Sequence, residues 1–428
     1  MEFVFSKGVV SKQAHVAIPS GTYEEEHGRE AFAGRASHLY RRHPPTAWTR
    51  IDGPLRPRAL DLNQMKPEDL VDANASWQLV AGNPDVRLYV SRRTEPMPYF
   101  LRDADGDVCY FVHRGSGVVE TDYGPLDYRQ GDYVIIPKGT THRVVPANAS
   151  ESAMAAETPS EFARAVGQDP RTVAGAMRKL GIGIKKGDKF PVRSKRKLLK
   201  HFNVDDSFFF VIEGDGEYRI PDRGLMGRHA QFDPGVLVVP EPDPHDEEGE
   251  FEVRVKRNGQ FSSLWFQWHP LDVVGWQGDL CPVKLNILDH RPVYSPSYHM
   301  PPSAHCTFEN EGFVICSFVP RPLEEDPEVL KVPFYHANID ADEVLFYHSG
   351  NYFSRAGIDM GYMTLHPQGI HHGPQPAAIE ASKTKTRTDE VAVMVETEHP
   401  LDVSPEAEQV VITEYENSWA RGMGLLDE

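Results

Sequence analysis

Short apolar and β-branched runs, separated by glycine and aspartate, follow one another between residues 76 and 146. The runs are WQLVAG, VRLYVSR, CYFVHRG, GVVETDYG and YVIIPKG. Runs of this length between turn-forming residues are typical of β-strands. The pattern returns from Ser207 onward in SFFFVIEGDGEYRIPDRG, PGVLVVPEP, FEVRVKRNG and, near the end, EVAVMVETEHPLDV. The hydrophobic pattern therefore predicts a mainly β protein with many short strands.

A helical pattern interrupts the strands between about residues 147 and 206. Thr158 and Glu161 have the spacing of a capping box, in which each side chain accepts from the backbone N–H of the other. Asp169, Pro170 and Gly181 follow the order of N-cap, first helical residue and stop signal. We predict a small helical insertion that resembles a helix-turn-helix pair. Its apolar stripe would consist of Phe162, Val166, Val173, Met177 and Leu180.

The two ends of the chain carry weaker patterns. Residues 1–75 lack strong periodicity and are rich in His, Arg and Pro. We therefore expect an extended arm that lies on other surfaces and packs there through Trp48. The last segment, SPEAEQVVITEYENSWARGMG, is predicted to form a terminal helix.

A run of basic residues follows the two predicted helices of the insertion. Two alternatives stay open for this run: it binds nucleic acid, or it contacts an acidic surface such as residues 240–252 of a neighbouring subunit. The chain has a formal net charge of −18, and like-signed fields oppose nucleic acid binding, so we favour the second alternative. The basic run consists of Lys185, Lys186, Lys189, Arg193, Lys195, Arg196, Lys197 and Lys200.

Length and composition limit the number of domains, the membrane spans and the state of the cysteines that we expect. A chain of 428 residues can hold two or three domains with real cores. It contains no run of eighteen apolar residues and starts without a secretory pattern, so we expect no membrane span and a cytoplasmic location. The cysteines form no C-x-x-C pair, which favours reduced, buried thiols. They are Cys109, Cys281, Cys306 and Cys316.

A spacing motif occurs twice in the chain. Residues 131–142 and 361–372 both read G-x5-P-x-G-x2-H. In the second copy, a front half precedes it, with His336 and Asn338 two apart, then Glu343 and Gly350. This is the two-part motif of the cupin barrel, a small jelly roll. The repeat predicts two cupin-type barrels, of which the first lacks the front half.

The intact copy predicts a metal site. His336, Glu343 and His372 would form a two-His-one-carboxylate group, which suits Fe(II) and leaves three coordination positions open. Asp342 is the alternative carboxylate, and we choose Glu343 because the cupin frame expects six residues between the carboxylate and Gly350. We interpret the first barrel as structural and His142 as a remnant.

The domain prediction follows from the same repeat. Residues 1–275 would form an N-terminal domain with the arm, the degenerate cupin barrel and the basic helical insertion. Residues 276–428 would form the catalytic cupin domain, with the metal site and the terminal helix.

Several longer segments resemble the homogentisate 1,2-dioxygenase family. They are DADGDVCYFVHRG, PKGTTHR, EYRIPDRG, DVVGWQGDLCPVKLN, YHMPPSAHCTFE, FVICSFVPRP, FYHANIDADEV and HHGPQP. The resemblance implies cleavage of the homogentisate ring by O2 to give maleylacetoacetate, a step of tyrosine and phenylalanine catabolism. It also implies an Fe(2+) cofactor, a small aromatic acid as substrate and a homo-oligomer, either a trimer or a hexamer.

The resemblance assigns roles to individual residues. His336, Glu343 and His372 match the iron ligands of the family, and His299 matches its active-site acid/base. Tyr352 and His366, together with His372, match its substrate-binding residues. Residues outside these matches could hold the substrate carboxylate, and Arg321 and Arg355 are candidates for this beside Tyr352.

The sequence departs from the family pattern in three ways. It reads His-Ala-Asn where the family reads His-Arg-Asn, it places Asp342 rather than Glu343 six residues after the first histidine, and it contains the helical insertion. Alternatives therefore stay open: a dioxygenase for another dihydroxy-aromatic acid such as gentisate, a metal-dependent cupin isomerase, or a non-catalytic ligand-binding cupin.

Overall fold

The computed structural model describes residues 5–32, 34–147, 153–166, 168, 170–184, 189–202, 206–222, 224–227, 233–332, 334–352, 355 and 357–427. The first eleven strands are β1 (Tyr23–Gly28), β2 (Ala36–Arg41), β3 (Arg58–Asp61), β4 (Gln78–Gly82), β5 (Val86–Arg93), β6 (Phe100–Asp103), β7 (Asp107–Arg114), β8 (Ser116–Thr121), β9 (Leu126–Arg129), β10 (Asp132–Ile136) and β11 (Thr141–Pro146). The next eleven are β12 (Ser207–Gly214), β13 (Glu248–Arg257), β14 (Gln260–Trp268), β15 (Val283–Asn286), β16 (Cys306–Asn310), β17 (Phe313–Phe318), β18 (Tyr335–Asn338), β19 (Asp342–Ser349), β20 (Tyr362–His366), β21 (Val391–Thr397) and β22 (Asp402–Val403). The α-helices are α1 (Pro159–Ala165), α2 (Pro170–Lys179), α3 (Val192–Phe202), α4 (Pro376–Ser382), α5 (Pro405–Glu408) and α6 (Ser418–Gly422).

The strands form a central sheet with a further sheet on each face. The central sheet has the order β15-β10-β7-β12-β5-β4-β22. Its strand β7 is buried at every position, and successive side chains point to opposite faces. Val108 and Tyr110 therefore enter one core, whereas Cys109 and Phe111 enter the other. A strand buried on both faces explains the nearly continuous apolar run in the sequence.

The sheet that carries the predicted metal ligand Glu343, called the catalytic sheet below, covers one face of the central sheet, in the order β16-β17-β21-β19-β20-β3. Its strand β19 packs Val344 and Phe346 into the core shared with the central sheet, where Phe346 stacks on Phe210 at 4.6 Å between ring centroids. The alternate positions of β19, Glu343 and Tyr347, point to the opposite face. The sheet β14-β13-β6-β11-β8-β9 covers the other face of the central sheet.

The N-terminal arm adds strands to the C-terminal half. Strand β1 pairs in parallel with β18, and β2 pairs antiparallel with β1, so that a three-stranded sheet forms. Strand β3 pairs with β20 at the edge of the catalytic sheet. Conversely, strands β15 and β22 of the C-terminal half pair with β10 and β4 of the central sheet. Pairing thus crosses the boundary predicted at residue 275, and the two domains remain a prediction.

The predicted mainly β fold with cupin-type, jelly-roll sheets is confirmed, although the sheets are open rather than closed barrels. One predicted strand is wrong. In PGVLVVPEP, residues Pro234–Val236 form a 3-10 turn, and only Val238 makes a β-bridge, to Lys284. Prolines on both sides of the run restrict the backbone and remove donors that a strand would need.

The predicted helical insertion is present, and its apolar side chains form a core of their own. Thr158 and Glu161 form the capping box at the start of α1, and Val173 and Leu198 are buried between the helices. Part of the basic run forms a third helix, α3, on which Lys195 turns inward and donates to the Met154 carbonyl at 2.6 Å. The predicted N-cap Asp169 and the basic residues Lys185 and Lys186 lie outside the described residues.

The predicted single terminal helix is wrong. The segment breaks into α5 and α6, and between them the chain runs extended along β3, where Asp61 N–H donates to the Val410 carbonyl and Ile412 N–H donates to the Ala59 carbonyl. The β-branched residues of this stretch favour that extended backbone over a helix. Trp48 of the arm packs against Trp419 of α6, as expected for a packing anchor.

None of the helices in the described parts of the chain combines the length and the apolar character that crossing a bilayer requires.

The shared core makes a stability prediction. Phe346 has no exposed surface and contacts aromatic rings of the central sheet. Phe346→Ala should lower the free energy of unfolding by about 3–5 kcal/mol, because it leaves a cavity between the two sheets. Val71→Ala, at a position 85% exposed, should change it by less than about 0.5 kcal/mol. Denaturant titration measures both, and equal effects would contradict the shared core.

Candidate metal centre and cavity

Three chain segments bring the predicted metal ligands together. His336 lies on β18 and Glu343 at the start of β19. His372 follows a turn in which Gly369 adopts φ 78°, a conformation that favours glycine. The backbones of His336 and His372 then exchange two hydrogen bonds of 2.9 Å. This bridge places the two imidazole rings side by side, 4.0 Å apart between centroids.

The three side chains converge on one point. Nε2 of His336 lies 3.6 Å from Glu343 Oε2, and Nε2 of His372 lies 3.4 Å from Glu343 Oε1. The Nδ1 atoms face the carbonyls of Phe334 and Ile370, at 2.8 and 3.3 Å. Nδ1–H therefore donates to the backbone, which leaves the Nε2 lone pairs pointing inward.

Both Nε2 atoms are buried and have no hydrogen-bond partner within the described structure. Two such orphaned imidazole nitrogens beside a carboxylate fit a divalent metal ion, since metal bonds would satisfy all three groups. Within the described chain the group is one of four His and carboxylate clusters whose geometry could hold a metal, and it is buried at every member.

The electrostatics of Glu343 match this arrangement. Burial alone would raise the pKa of its carboxyl, but the nearby imidazole of His372 and the hydrogen bond with His366 hold the pKa well below its usual range. His366 supplies one of these contacts, with Nδ1 2.8 Å from Glu343 Oε1. The carboxylate is therefore ionised, as a metal ligand must be.

Asp342, the alternative carboxylate, points elsewhere. Its oxygens accept from the backbone N–H groups of Gln368 and Leu401, each at 2.8 Å. Strand alternation on β19 sends Asp342 to the face opposite Glu343. The geometry thus brings Glu343, and not Asp342, to the two histidines.

A cavity opens beside the metal centre, with His336 and Glu343 in its wall. The predicted acid/base His299 also lines it, and its Nδ1 lies 2.9 Å from Oε1 of Glu324. Burial lowers the pKa of His299, and Glu324 partly offsets this effect. His299 is therefore neutral near pH 7, and its hydrogen bond to Glu324 leaves the Nε2 lone pair free to accept a proton.

Three cationic side chains line the same cavity. Arg321 and Arg355, the two predicted candidates for a carboxylate, are both in the wall, and Lys331 lies there as well. Glu390 also faces the cavity, and burial raises its pKa to about 7, although Arg321 and Arg355 oppose the shift. Because Glu390 is only partly ionised near neutrality, the three cations dominate the charge of this wall.

The predicted substrate-binding residues divide into two groups. Tyr352 lines the cavity and donates to the Val391 carbonyl at 3.3 Å. His366 is placed behind Glu343 instead, between that carboxylate and the hydroxyl of Tyr415, 3.1 Å away. His372 faces Glu343 and stacks on His366 at 4.4 Å between ring centroids. The positions of both histidines suit contact with Glu343 rather than with a substrate in the cavity.

Sequence reasoning missed several residues of the site, among them Lys331, Phe334 and Phe32 in the cavity wall and Glu324 behind His299. These four belong to no periodic pattern, because they lie in loops or beside strand ends. The PRP-x-E context of Glu324, two residues beyond the resemblance segment FVICSFVPRP, was the nearest available signal.

The first copy of the spacing motif carries no comparable group in the described chain. His142 accepts or donates at Nε2 with the Tyr110 hydroxyl, at 2.9 Å, and its Nδ1 lies 3.2 Å from the Thr140 carbonyl. Its ring is thus used by hydrogen bonds within the core. The four cysteines are free thiols, all buried.

Comparison with known proteins defines the class. Residues 289–424 match the family described as homogentisate 1,2-dioxygenase C-terminal. The "Putative dioxygenase" of Saccharolobus solfataricus is 30% identical over 98% of this chain and 99% of its own length. The homogentisate 1,2-dioxygenase of Sinorhizobium fredii is 27% identical over 49% of this chain and 50% of its own. These matches define an enzyme of the ring-cleaving dioxygenase class.

The chain belongs to the homogentisate 1,2-dioxygenase family.

Solved structures overlap the chain only loosely. A cupin 2 conserved barrel domain protein from Leptotrichia buccalis covers 79% of this chain and 96% of its own, at 9% identity and a TM-score of 0.29. Bacillus subtilis oxalate decarboxylase covers 84% and 81%, at 10% identity and a TM-score of 0.31. The jelly-roll character of the fold is therefore defined by the sheets of this chain and not by these overlaps.

The two neighbouring carboxylates provide a direct test of the metal centre. Glu343→Ala should abolish retention of Fe(II) after anaerobic loading and gel filtration, because it removes the only negative ligand of the group. Asp342→Ala should retain the metal but lower the free energy of unfolding by about 1–3 kcal/mol, since two buried N–H groups lose their acceptor. Loss of iron in Asp342→Ala with retention in Glu343→Ala would contradict the assignment.

Proposed function

We propose that this protein is an Fe(II)-dependent dioxygenase that opens the ring of homogentisate to give maleylacetoacetate. The observation that carries the proposal is the pair of orphaned Nε2 atoms of His336 and His372 beside Glu343, next to a cavity lined by cations. An Fe(II) ion held by these three side chains would bring a ring hydroxyl and O2 together and lower the pKa of that hydroxyl. The family membership supports the ring-cleaving reaction.

Apolar side chains can enclose an aromatic ring in this cavity. Phe334 lies 5.5 Å from the ring of His336, and Phe32 of the N-terminal arm lies 5.0 Å from it, both as ring-centroid distances. Phe318 and Leu323 extend the apolar wall. Such a surface favours a flat aromatic substrate and excludes water from the reacting groups.

The pair of His299 and Glu324 supplies the proton chemistry. Nδ1–H of His299 donates to Glu324, so Nε2 is the atom that can take the proton of a ring hydroxyl. The carboxylate of Glu324 then stabilises the imidazolium that forms. Glu324 itself stays ionised, because contacts with His299 and Arg321 outweigh burial and lower its pKa.

The cationic wall can hold the carboxylate of the substrate. Arg355 already donates to the Gly373 carbonyl at 2.8 Å, and Arg321 contacts Glu324 at 3.5 Å. Lys331 donates to the Lys385 carbonyl at 3.4 Å. We propose that Lys331 and Arg321 bind the acid, since charge-assisted contacts favour an anionic over a neutral aromatic ligand.

Oxygen consumption tests the function. Protein loaded anaerobically with Fe(II) should consume about one O2 per ring opened when homogentisate is added, and product absorbance should appear with it. Gentisate and other dihydroxyphenyl acids form the comparison panel, and metal-free protein is the control. Uptake with gentisate but not with homogentisate would overturn the substrate and keep the reaction. No uptake with any of the acids would overturn the function.

The hydrogen-bonded pair of His299 and Glu324, called the dyad below, predicts how kcat/KM depends on pH. The charge of Glu324 raises the pKa of His299, and the neutral imidazole is the active base, so kcat/KM should rise as pH rises through that pKa. Glu324→Gln should therefore move the acid limb of the profile to lower pH, by about one to three pH units. Glu325→Gln, at the exposed neighbouring position, should leave it in place. An unmoved limb in Glu324→Gln would refute the dyad.

A further inference from the structure

A second cluster of imidazoles and carboxylates lies in the N-terminal arm, outside the catalytic cavity. Glu24 and Glu26 point to the same face of β1, and His38 lies directly across from Glu26 on β2. His15 approaches from the preceding loop with φ 66°, a backbone conformation that is costly for a residue other than glycine. The three residues His15, Glu24 and His38 have donor atoms within 4.8 Å of one another.

Glu24 fixes the imidazole of His15. Its Oε2 accepts from the backbone N–H of His15 at 2.8 Å and lies 3.0 Å from His15 Nδ1. Its Oε1 accepts from the Tyr40 hydroxyl at 2.7 Å and lies 3.7 Å from His38 Nδ1, which has no hydrogen-bond partner among the described residues. Glu24 therefore directs the Nε2 atom of His15 away from itself, and the Nε2 atom of His38 lies near Glu26 as well.

Those Nε2 atoms meet at Glu26. Its Oε2 lies 3.7 Å from His15 Nε2 and 3.8 Å from His38 Nε2. Both separations exceed hydrogen-bond distance, yet they resemble the 3.4 and 3.6 Å of the catalytic group. A zinc ion with bonds of about 2.0–2.2 Å holds tetrahedral ligands roughly 3.3–3.6 Å apart. The geometry of the arm thus matches a metal site more closely than a hydrogen-bonded pair.

Charge balance supports the same conclusion. Two carboxylates meet here, and Glu24 is almost completely buried. The described chain places no lysine or arginine within ion-pair distance of either one. A proton on His15 would compensate one of the two charges only, whereas a divalent cation with two neutral imidazoles compensates both.

We propose that the N-terminal arm binds a second divalent metal ion of the zinc class, with His15, Glu26 and His38 as ligands and Glu24 as the carboxylate that orients His15. The donor set of two nitrogens and one carboxylate oxygen suits zinc, and water can complete the coordination. Nothing in this assignment requires the catalytic reaction, so the two metal sites can be tested separately.

The position of the cluster indicates a structural role. His15 stacks on Phe334 at 3.9 Å between ring centroids, and Phe334 lines the catalytic cavity. Glu26 pairs in register with His336 on the adjacent strand. A metal at the cluster would therefore fix β1, β2 and the preceding loop against the strand that carries a catalytic ligand.

Zinc counting tests the proposal. Chelator-stripped protein is loaded with Zn²⁺, dialysed against a weak competing chelator and analysed for zinc per chain. The wild type should retain two equivalents, and Glu26→Gln, His38→Gln and His372→Gln should each retain one. His27→Gln is the matched control, because His27 is an exposed histidine on the same strand and faces away from the cluster. It should retain two.

The variant His372→Gln separates the two sites. In that background, zinc should still raise the thermal unfolding midpoint, and the added change His38→Gln should abolish both the rise and the retained zinc. Unfolding curves of the zinc-free proteins check that each variant folds. One equivalent in the wild type with none in His372→Gln would overturn the arm site and leave the catalytic site standing. One equivalent of zinc in the wild type with none in Glu26→Gln would overturn the predicted catalytic metal site and leave the arm site standing.

Discussion

The structure depends on one buried carboxylate, Glu343, which has to be compensated because an ion removed from water is unstable without partners. Three imidazoles converge on it, from β18, from the end of β20 and from the turn after β20. The same strand that presents Glu343 to the site packs Val344 into the core of the molecule. Core and metal centre are therefore two faces of β19, and a register shift of one residue would exchange them.

The N-terminal arm is the second requirement of the site. Its strand β1 pairs with β18, and the loop after β1 brings Phe32 to within 5.0 Å of the His336 ring. Arg29 of the same loop forms an ion pair with Asp340, just beyond the end of β18. The arm thus covers the cavity on the side that the catalytic sheet leaves open, and the cluster of His15, Glu26 and His38 lies where it can hold this cover in place.

Sequence reasoning was effective where chemistry follows from spacing. The histidine and carboxylate positions of the two-part motif correspond to strand and turn geometry, so the cupin spacing favours His336, Glu343 and His372, although the family spacing left Asp342 as the alternative carboxylate. Lys331 and Glu324 could not be selected in this way, since they come from irregular segments whose paths are set by distant packing. The prediction of one terminal helix was wrong for the opposite reason. The local sequence pattern was typical of a helix, but part of the segment pairs with β3 instead. The strands of the central sheet could be predicted from the sequence because both faces of that sheet are covered by apolar side chains.

The C-terminal segment contacts the metal centre through residues that follow its extended stretch. Tyr415 contacts Nε2 of His366, whose Nδ1 contacts Glu343, and Trp419 donates to the Gly373 carbonyl at 3.0 Å. Gly373 follows His372 with φ 150°, and a Cβ there would lie 2.8 Å from the Cα of Tyr335, so only glycine fits this close approach. Tyr415 and Trp419 are four residues apart and lie in consecutive helical turns, Tyr415–Asn417 and Ser418–Gly422, so both side chains lie on one face. The extended stretch along β3, which the sequence pattern did not predict, sets where these turns begin and so lets the end of the chain hold the turn carrying His372 and the histidine behind Glu343.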